Sequence, residues 1–175
     1  MGITLLIAVA LALAALLAYA ATRPGDFVVS RSLRIAAAPE RVFTHINDLR
    51  AMNRWNPFVQ QDPALQGDYS GPAAGPGAAY SFKGRKAGAG RIAITEAQAP
   101  AQVVMQLDMS APMEGHNRIQ FTLRPVDGQT EVTWAMSGCS NFVAKLFGVF
   151  VNVDRMVGGH FDKGLQQLKA LAEQP

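Results

Sequence analysis

The residues of this 175-residue chain with most to offer chemically are three histidines, His45, His116 and His160, and two carboxylates in its central region, Glu96 and Asp108. Any of them, aimed into an otherwise apolar pocket, would have its pKa displaced and could move a proton during ring closure or water loss. The histidines are scattered and make no HxH or HxxxH spacing, so no metal site is expected. Ser137, Cys139 and Ser140 bring nucleophilic atoms close together. Such a nucleophile needs a base and an orienting group in contact with it; the sequence identifies neither, and no catalytic residue is assigned. Cys139 is the single cysteine, which excludes an internal disulfide framework and a cysteine metal cluster.

The stretch "KGRKAGAGR", residues 83–91, is basic and glycine-rich. It lacks the Lys-Ser/Thr pair of a P-loop. Nor does it open a helix after a parallel strand, as a dinucleotide fingerprint must. It reads as a hairpin tip, with contact to a headgroup or anionic ligand through Lys83, Arg85, Lys86 and Arg91 as the functional alternative. Nucleic acid is not an expected partner, because no aromatic side chains interleave with these cations. No cofactor motif is present. "RWNPF" places Trp55 and Phe58 beside Arg54 and Asn56, either as an aromatic loop at the entrance of a cavity or as a packing cluster.

Placing such groups requires a core, and 49% of the residues are apolar. Part of that share is the leader: residues 3–21 carry no charge and as a helix would extend roughly 28 Å, enough to cross the hydrocarbon of a bilayer. Two readings stay open for residues 1–25. "AYA" at residues 18–20 fits a signal-peptidase site. Length and the flanking Arg23, Pro24 and Gly25 fit a retained transmembrane anchor. Arg23, Arg31 and Arg34 follow the run and no basic residue precedes it, a bias towards a cytoplasmic domain. The expected location is a single-pass protein of the bacterial inner-membrane type, or a periplasmic or secreted one if the leader is cleaved. The net charge of +3 suits a neighbour rich in anionic lipid as well as it suits a plain solvated surface.

Beyond the leader, Val29, Leu33 and Ile35 alternate with polar residues as in a strand, with Arg31 the exception. "APERVFTHINDL" reads as a helix, with Pro39 in its first turn and Val42, Ile46 and Leu49 along one side; Pro57 is expected to stop the helical region. From residue 64 to 137 short alternating runs follow one another: Ala78, Tyr80 and Phe82; Ile92 and Ile94; Val103, Met105, Leu107 and Met109; Ile119, Phe121 and Leu123; Val132, Trp134 and Met136. Glycine- and proline-rich turns separate them, with Asp127-Gly128 as a hairpin candidate, so the strands make an antiparallel meander with one apolar face. Phe161, Leu165, Leu168 and Ala172 mark an amphipathic closing helix, the one large element left to cover that face. Just before it, "NFVAKLFGVFVNVDRMVGG", residues 141–159, is apolar around most of a helical circumference, and Gly158-Gly159 is a candidate hinge.

This order of elements, with "SRSLRIAAAPERVFTHINDLRAMNRWNPF", "YSGPAAGPGAAYSFKG", "AGAGRIAITEAQAP" and "DRMVGGHFDKGLQQLKALAE", resembles the START/Bet v 1-like superfamily, also termed SRPBCC, in its polyketide cyclase/dehydrase branch. The likeness spans residues 27–173, and residues 26–175 are taken as one domain. It implies an α+β helix-grip fold: a curved antiparallel sheet of six or seven strands around a long C-terminal helix, with two short helices after the first strand. It also implies an apolar cavity between sheet and helix. The side chains expected there are Trp55, Phe58, Tyr80, Phe82, Met105, Leu107, Phe121, Trp134, Met136, Phe150 and Met156. The expected partner is a hydrophobic small molecule or a lipid, bound by a module tethered to a membrane. The alternatives are a cyclase- or dehydratase-like enzyme using a cavity acid/base, and a scaffold that makes protein contacts only.

Overall fold

The computed structural model describes residues 2–139 and 142–174; Ser140 and Asn141, discussed above, lie outside them. The chain opens with α1 (Gly2–Thr22), then runs β1 (Asp26–Ile35), α2 (Pro39–Asn47), α3 (Leu49–Asn53) and α4 (Pro57–Gln60). Six strands follow in succession: β2 (Gln66–Ser70), β3 (Ala79–Lys83), β4 (Ala89–Gln98), β5 (Gln102–Ala111), β6 (Gly115–Val126) and β7 (Gln129–Cys139). The chain closes with α5 (Phe142–Phe150) and α6 (Val153–Ala172).

All strands join one curved antiparallel sheet in the order β1-β7-β6-β5-β4-β3-β2. The meander from β2 to β7 follows from turns too short for a crossover. The β6–β7 turn places Asp127 at φ 50° and Gly128 at φ 76°, the pair of positive values that a two-residue hairpin favours. Register shifts between β4 and β5 near Ala89 and Ile94 help bend the sheet. Helix α6 lies in the bend and buries Phe161, Leu165, Leu168 and Ala172, the face that its spacing marked. This is the helix-grip α+β arrangement, with α2, α3 and α4 covering the sheet beside α6.

Three local expectations are corrected. The first helix does not continue through Leu49. Asp48 is extended, and its Oδ1 accepts from Arg50 N at 2.7 Å, starting α3 in a new direction. Pro57 does not stop a helix; it opens α4, where its fixed φ suits the first turn and Asn56 caps Phe58 N. Gly158-Gly159 is not the break either. The chain breaks at residues 151–152, where Asn152 caps α6 through Arg155 N, and both glycines lie inside α6.

Gly158 is small for another reason. Arg31 shares the inward face of β1 with Val29 and Leu33, and its guanidinium crosses α6 at Gly158 to reach Asp154 at 3.0 Å and Asp162 at 3.4 Å. A Cβ on Gly158 would stand 2.0 Å from Arg31 Nη2. The hydrogen bond from Arg31 holds the Asp154 carboxyl below its usual pKa. The strand's exception is thus a clamp between β1 and the first half of α6.

Gly164 lets α6 approach the sheet: a Cβ there would be 2.7 Å from the Trp134 ring and 3.0 Å from Pro57 Cδ. Neither neighbour is a flexible chain end. Gly164→Val should therefore lose about 1–3 kcal/mol through overpacking, even though valine is the better helix former. Urea unfolding of the two proteins side by side measures this.

Candidate functional site

Below the sheet's bend, between α3, α4, α6 and the inner face of β3 to β7, lies a cavity of about 440 Å³. Seven of the expected side chains line it: Phe58, Tyr80, Phe82, Leu107, Trp134, Met136 and Met156. Four do not. Trp55, Met105 and Phe121 are fully buried. Trp55 donates from Nε1 to the His45 carbonyl at 2.9 Å and meets Phe121 and Trp134 edge-on. Phe150 lies outside on α5 and is 73% exposed.

Alternation along each strand chooses the face but not the depth. Met105 and Leu107 point the same way, yet Met105 is fully buried while Leu107 borders the cavity. The lining also holds Met109, Asn117, Ile119, Val157 and Phe161, which were not among the expected residues. Met109 and Asn117 continue the inward phase of their strands one pleat further, and that phase was the signal for them. A polar residue at the end of a strand hides it.

The polar groups of the wall are few, and most have partners. Asn53 Nδ2 donates to the Tyr69 hydroxyl at 2.9 Å, and Asn56 Oδ1 is spent capping α4. His160 stacks on Phe58 with ring centroids 4.8 Å apart. Its Nδ1 lies 2.9 Å from the Met156 carbonyl and its Nε2 3.0 Å from Gln61 Oε1, so both ring nitrogens face groups of the protein. Burial pushes the Tyr80 hydroxyl to a higher pKa, with Tyr69 and Asp68 adding to it. Trp134 differs from these: it is 1% exposed, and its buried indole N–H has no hydrogen-bond partner among the described residues. An unpaired buried donor costs about 1–3 kcal/mol.

Of the acid/base candidates, only His160 touches the cavity. His116 and Asp108 pair across β5 and β6 at 2.6 Å on the outward phase of those strands, and this hydrogen bond, with one from Gln106, lowers the Asp108 pKa. Glu96 pairs with Arg118 at 3.6 Å. His45 is held to a lowered pKa by burial, with Arg41 and Arg54 adding to it, but does not line the cavity. Ser137 and Cys139 lie on a separate shallow surface near the end of β7. Cys139 Sγ donates to Asp26 at 3.0 Å, which raises the thiol's pKa and keeps it in the unreactive form. No aspartate or glutamate lines the cavity among the described residues.

The basic glycine-rich stretch is the β3–β4 turn, and its Lys86 and Ala87 form part of the rim. Asp62, which sequence reasoning passed over, holds it there. Its Oδ2 accepts from Lys86 N at 2.7 Å and Ala87 N at 3.1 Å, and Oδ1 from Ala64 N at 3.3 Å. These N–H groups, Lys86 first, lower the Asp62 pKa. A depressed folded pKa gives stability that is present above the unfolded aspartate value and is lost as pH falls through the folded one. Asp62→Asn should therefore melt below the wild type at neutral pH. The gap should close in acid, beneath the ordinary aspartate range of about 4. Melting curves of both proteins from neutral pH downwards measure it; a gap independent of pH would assign the effect to shape rather than charge.

Residues 26–173 match the family model described as "Polyketide cyclase / dehydrase and lipid transport". Among solved structures, the chain is similar to protein CV1439 from Chromobacterium violaceum at 19% identity, with 87% of this chain and 100% of that one covered and a TM-score of 0.62. The protein jhp0584 from Helicobacter pylori aligns at 12% identity over 84% of this chain and 88% of its own, with a TM-score of 0.63. The Aha1 dimer from Colwellia psychrerythraea aligns at 20% identity over 84% and 96%, with a TM-score of 0.57. At these identities the likeness is one of fold. No curated protein matches the chain at a significant level.

Proposed function

The chain belongs to the polyketide cyclase/dehydrase and lipid transport family, and from that premise we propose that it is a membrane-tethered module that binds a hydrophobic small molecule or lipid in the cavity beside α6. The observation that carries this reading is the lining: apolar side chains around about 440 Å³, with no carboxylate among the described lining residues. Apolar burial supplies most of the affinity, and a few polar atoms set orientation. The guest that fits is an acyl or isoprenoid-like body, matched to a wall made mostly of apolar side chains.

Catalysis by a cavity acid or base is less well supported. It needs a titratable group free to face the substrate, and both ring nitrogens of His160 face groups of the protein. The tether is α1, whose 21 residues carry no charge and are long enough to cross a bilayer. In this reading residues 1–25 are the anchor and residues 26–175 the binding domain.

Native mass spectrometry of the full chain, released from mild detergent micelles, tests the reading. The expected spectrum contains adducts of lipid mass, which Met136→Trp removes. Protein that stays free of ligand and takes up no fatty acid from an added panel would overturn it.

A further inference from the structure

The helix α5 turns its apolar side outward. Val143, Phe147 and Phe150 recur at i, i+4 and i+7, so they share one face, and they are 59%, 48% and 73% exposed. Phe142 borders the same face. On the other side the Gly148 carbonyl accepts from Arg23 Nη1 at 2.6 Å, and α5 packs against α1. Neither helix packs extensively on the sheet or on α6. A helix surrounded by water buries its apolar stripe and shows its polar one; α5 does the reverse, which calls for an apolar medium on its open side.

Position says which medium. Arg23 stands just past the end of α1, so its bond to Gly148 sets α5 level with the end of the membrane-length helix, where hydrocarbon gives way to headgroups. Charge does not oppose this: from residue 132 to 153 no aspartate or glutamate occurs and Lys145 is the single charged residue, so the segment carries no acidic group for anionic headgroups to repel. The cavity reaches the same end of the sheet. Asp26 pairs with Cys139, and the lining residue Asn117 pairs with Gly138 beside it. Met156, one turn into α6 from α5, both lines the cavity and is half exposed, which marks a mouth there.

We propose that α5 is a second membrane contact, lying in the interface of the bilayer that α1 spans and holding the cavity mouth against lipid, so that the guest enters from the membrane. This inference rests on the reading of α1 as a retained span. The test uses the full chain with Cys139→Ser, reconstituted in vesicles of phosphatidylcholine and phosphatidylglycerol. Nitroxide labels are placed through Phe147→Cys, Phe150→Cys or Gln129→Cys; position 129 lies at the other end of β7, roughly 33 Å away along the strand.

Flotation with the vesicles after alkaline washing reports the span, and the labels report α5. The expected result is flotation, with labels at 147 and 150 relaxed more by oxygen than by a water-soluble nickel chelate, and the reverse at 129. Flotation with all three labels equally open to nickel would overturn the inference and leave the span standing. Loss of the protein to the aqueous fraction would remove both. A second variant, Phe147→Asp with Phe150→Asp, should still float but load a pyrene-labelled fatty acid from vesicles several-fold more slowly at unchanged final occupancy. Unchanged loading would refute the role in delivery.

Discussion

Met136→Trp is expected to empty the protein of its guest while leaving its melting temperature equal to or above that of the wild type. Met136 lies on β7 two residues beyond Trp134, on the wall of a cavity of about 440 Å³. A guest burying about 300 Å² of apolar surface gains roughly 7.5 kcal/mol at about 25 cal/mol per Å². An indole that occupies a third of that contact removes about 2.5 kcal/mol. Since about 1.4 kcal/mol is tenfold in affinity, binding should weaken by well over tenfold. Stability moves the other way. A side chain that fills a hollow gains contacts, whereas one forced into solid packing loses about 1–3 kcal/mol. Titration with a fluorescent fatty acid and a thermal melt of the same sample decide the matter. A lower melting temperature with unchanged binding would mean that the guest site is elsewhere.

Trp134→Ala should be among the most damaging single changes in the domain. The Trp134 ring stacks on Phe161 with centroids 4.1 Å apart and planes 10° from parallel. It also meets Phe121 at 5.0 Å and Trp55 at 5.6 Å. It therefore joins the sheet, α6 and the loop before α4 at one point. Removing a buried aromatic of this kind costs about 3–5 kcal/mol, against a total stability of about 5–15 kcal/mol. Chemical unfolding measures the loss.

Trp134→Phe separates the ring from its N–H. It loses some area but also an unpaired buried donor, and these effects offset one another, so stability should change little. Chemical unfolding of Trp134→Phe beside the wild type and Trp134→Ala measures this; a loss as large as that of the alanine variant would show that the N–H matters to the fold.

The same residues show what could be read in advance. Strand alternation identified Tyr80, Phe82, Leu107, Trp134 and Met136 as inward, because a two-residue period is a property of the local backbone. The face of α6 bearing Phe161, Leu165, Leu168 and Ala172 followed in the same way from the helical period. Asp62 gave no such signal. Its partners Lys86 and Ala87 are 24 and 25 residues away, and only the folded turn brings them to its carboxylate.

The oily segment ahead of α6 marks the limit. Its composition announced an apolar medium, and the resemblance placed Phe150 and Met156 in the cavity. Met156 lines it, but Asn152 caps α6 and separates α5, which carries Phe150 outside and packs on α1. By itself the sequence determined the order of elements, the buried face of each and one uncharged run of membrane length, because these depend on composition and short-range periodicity. Only the tertiary structure decided how deep each inward side chain lies, which polar groups find partners and where α5 goes, because these depend on distances between segments far apart in the chain.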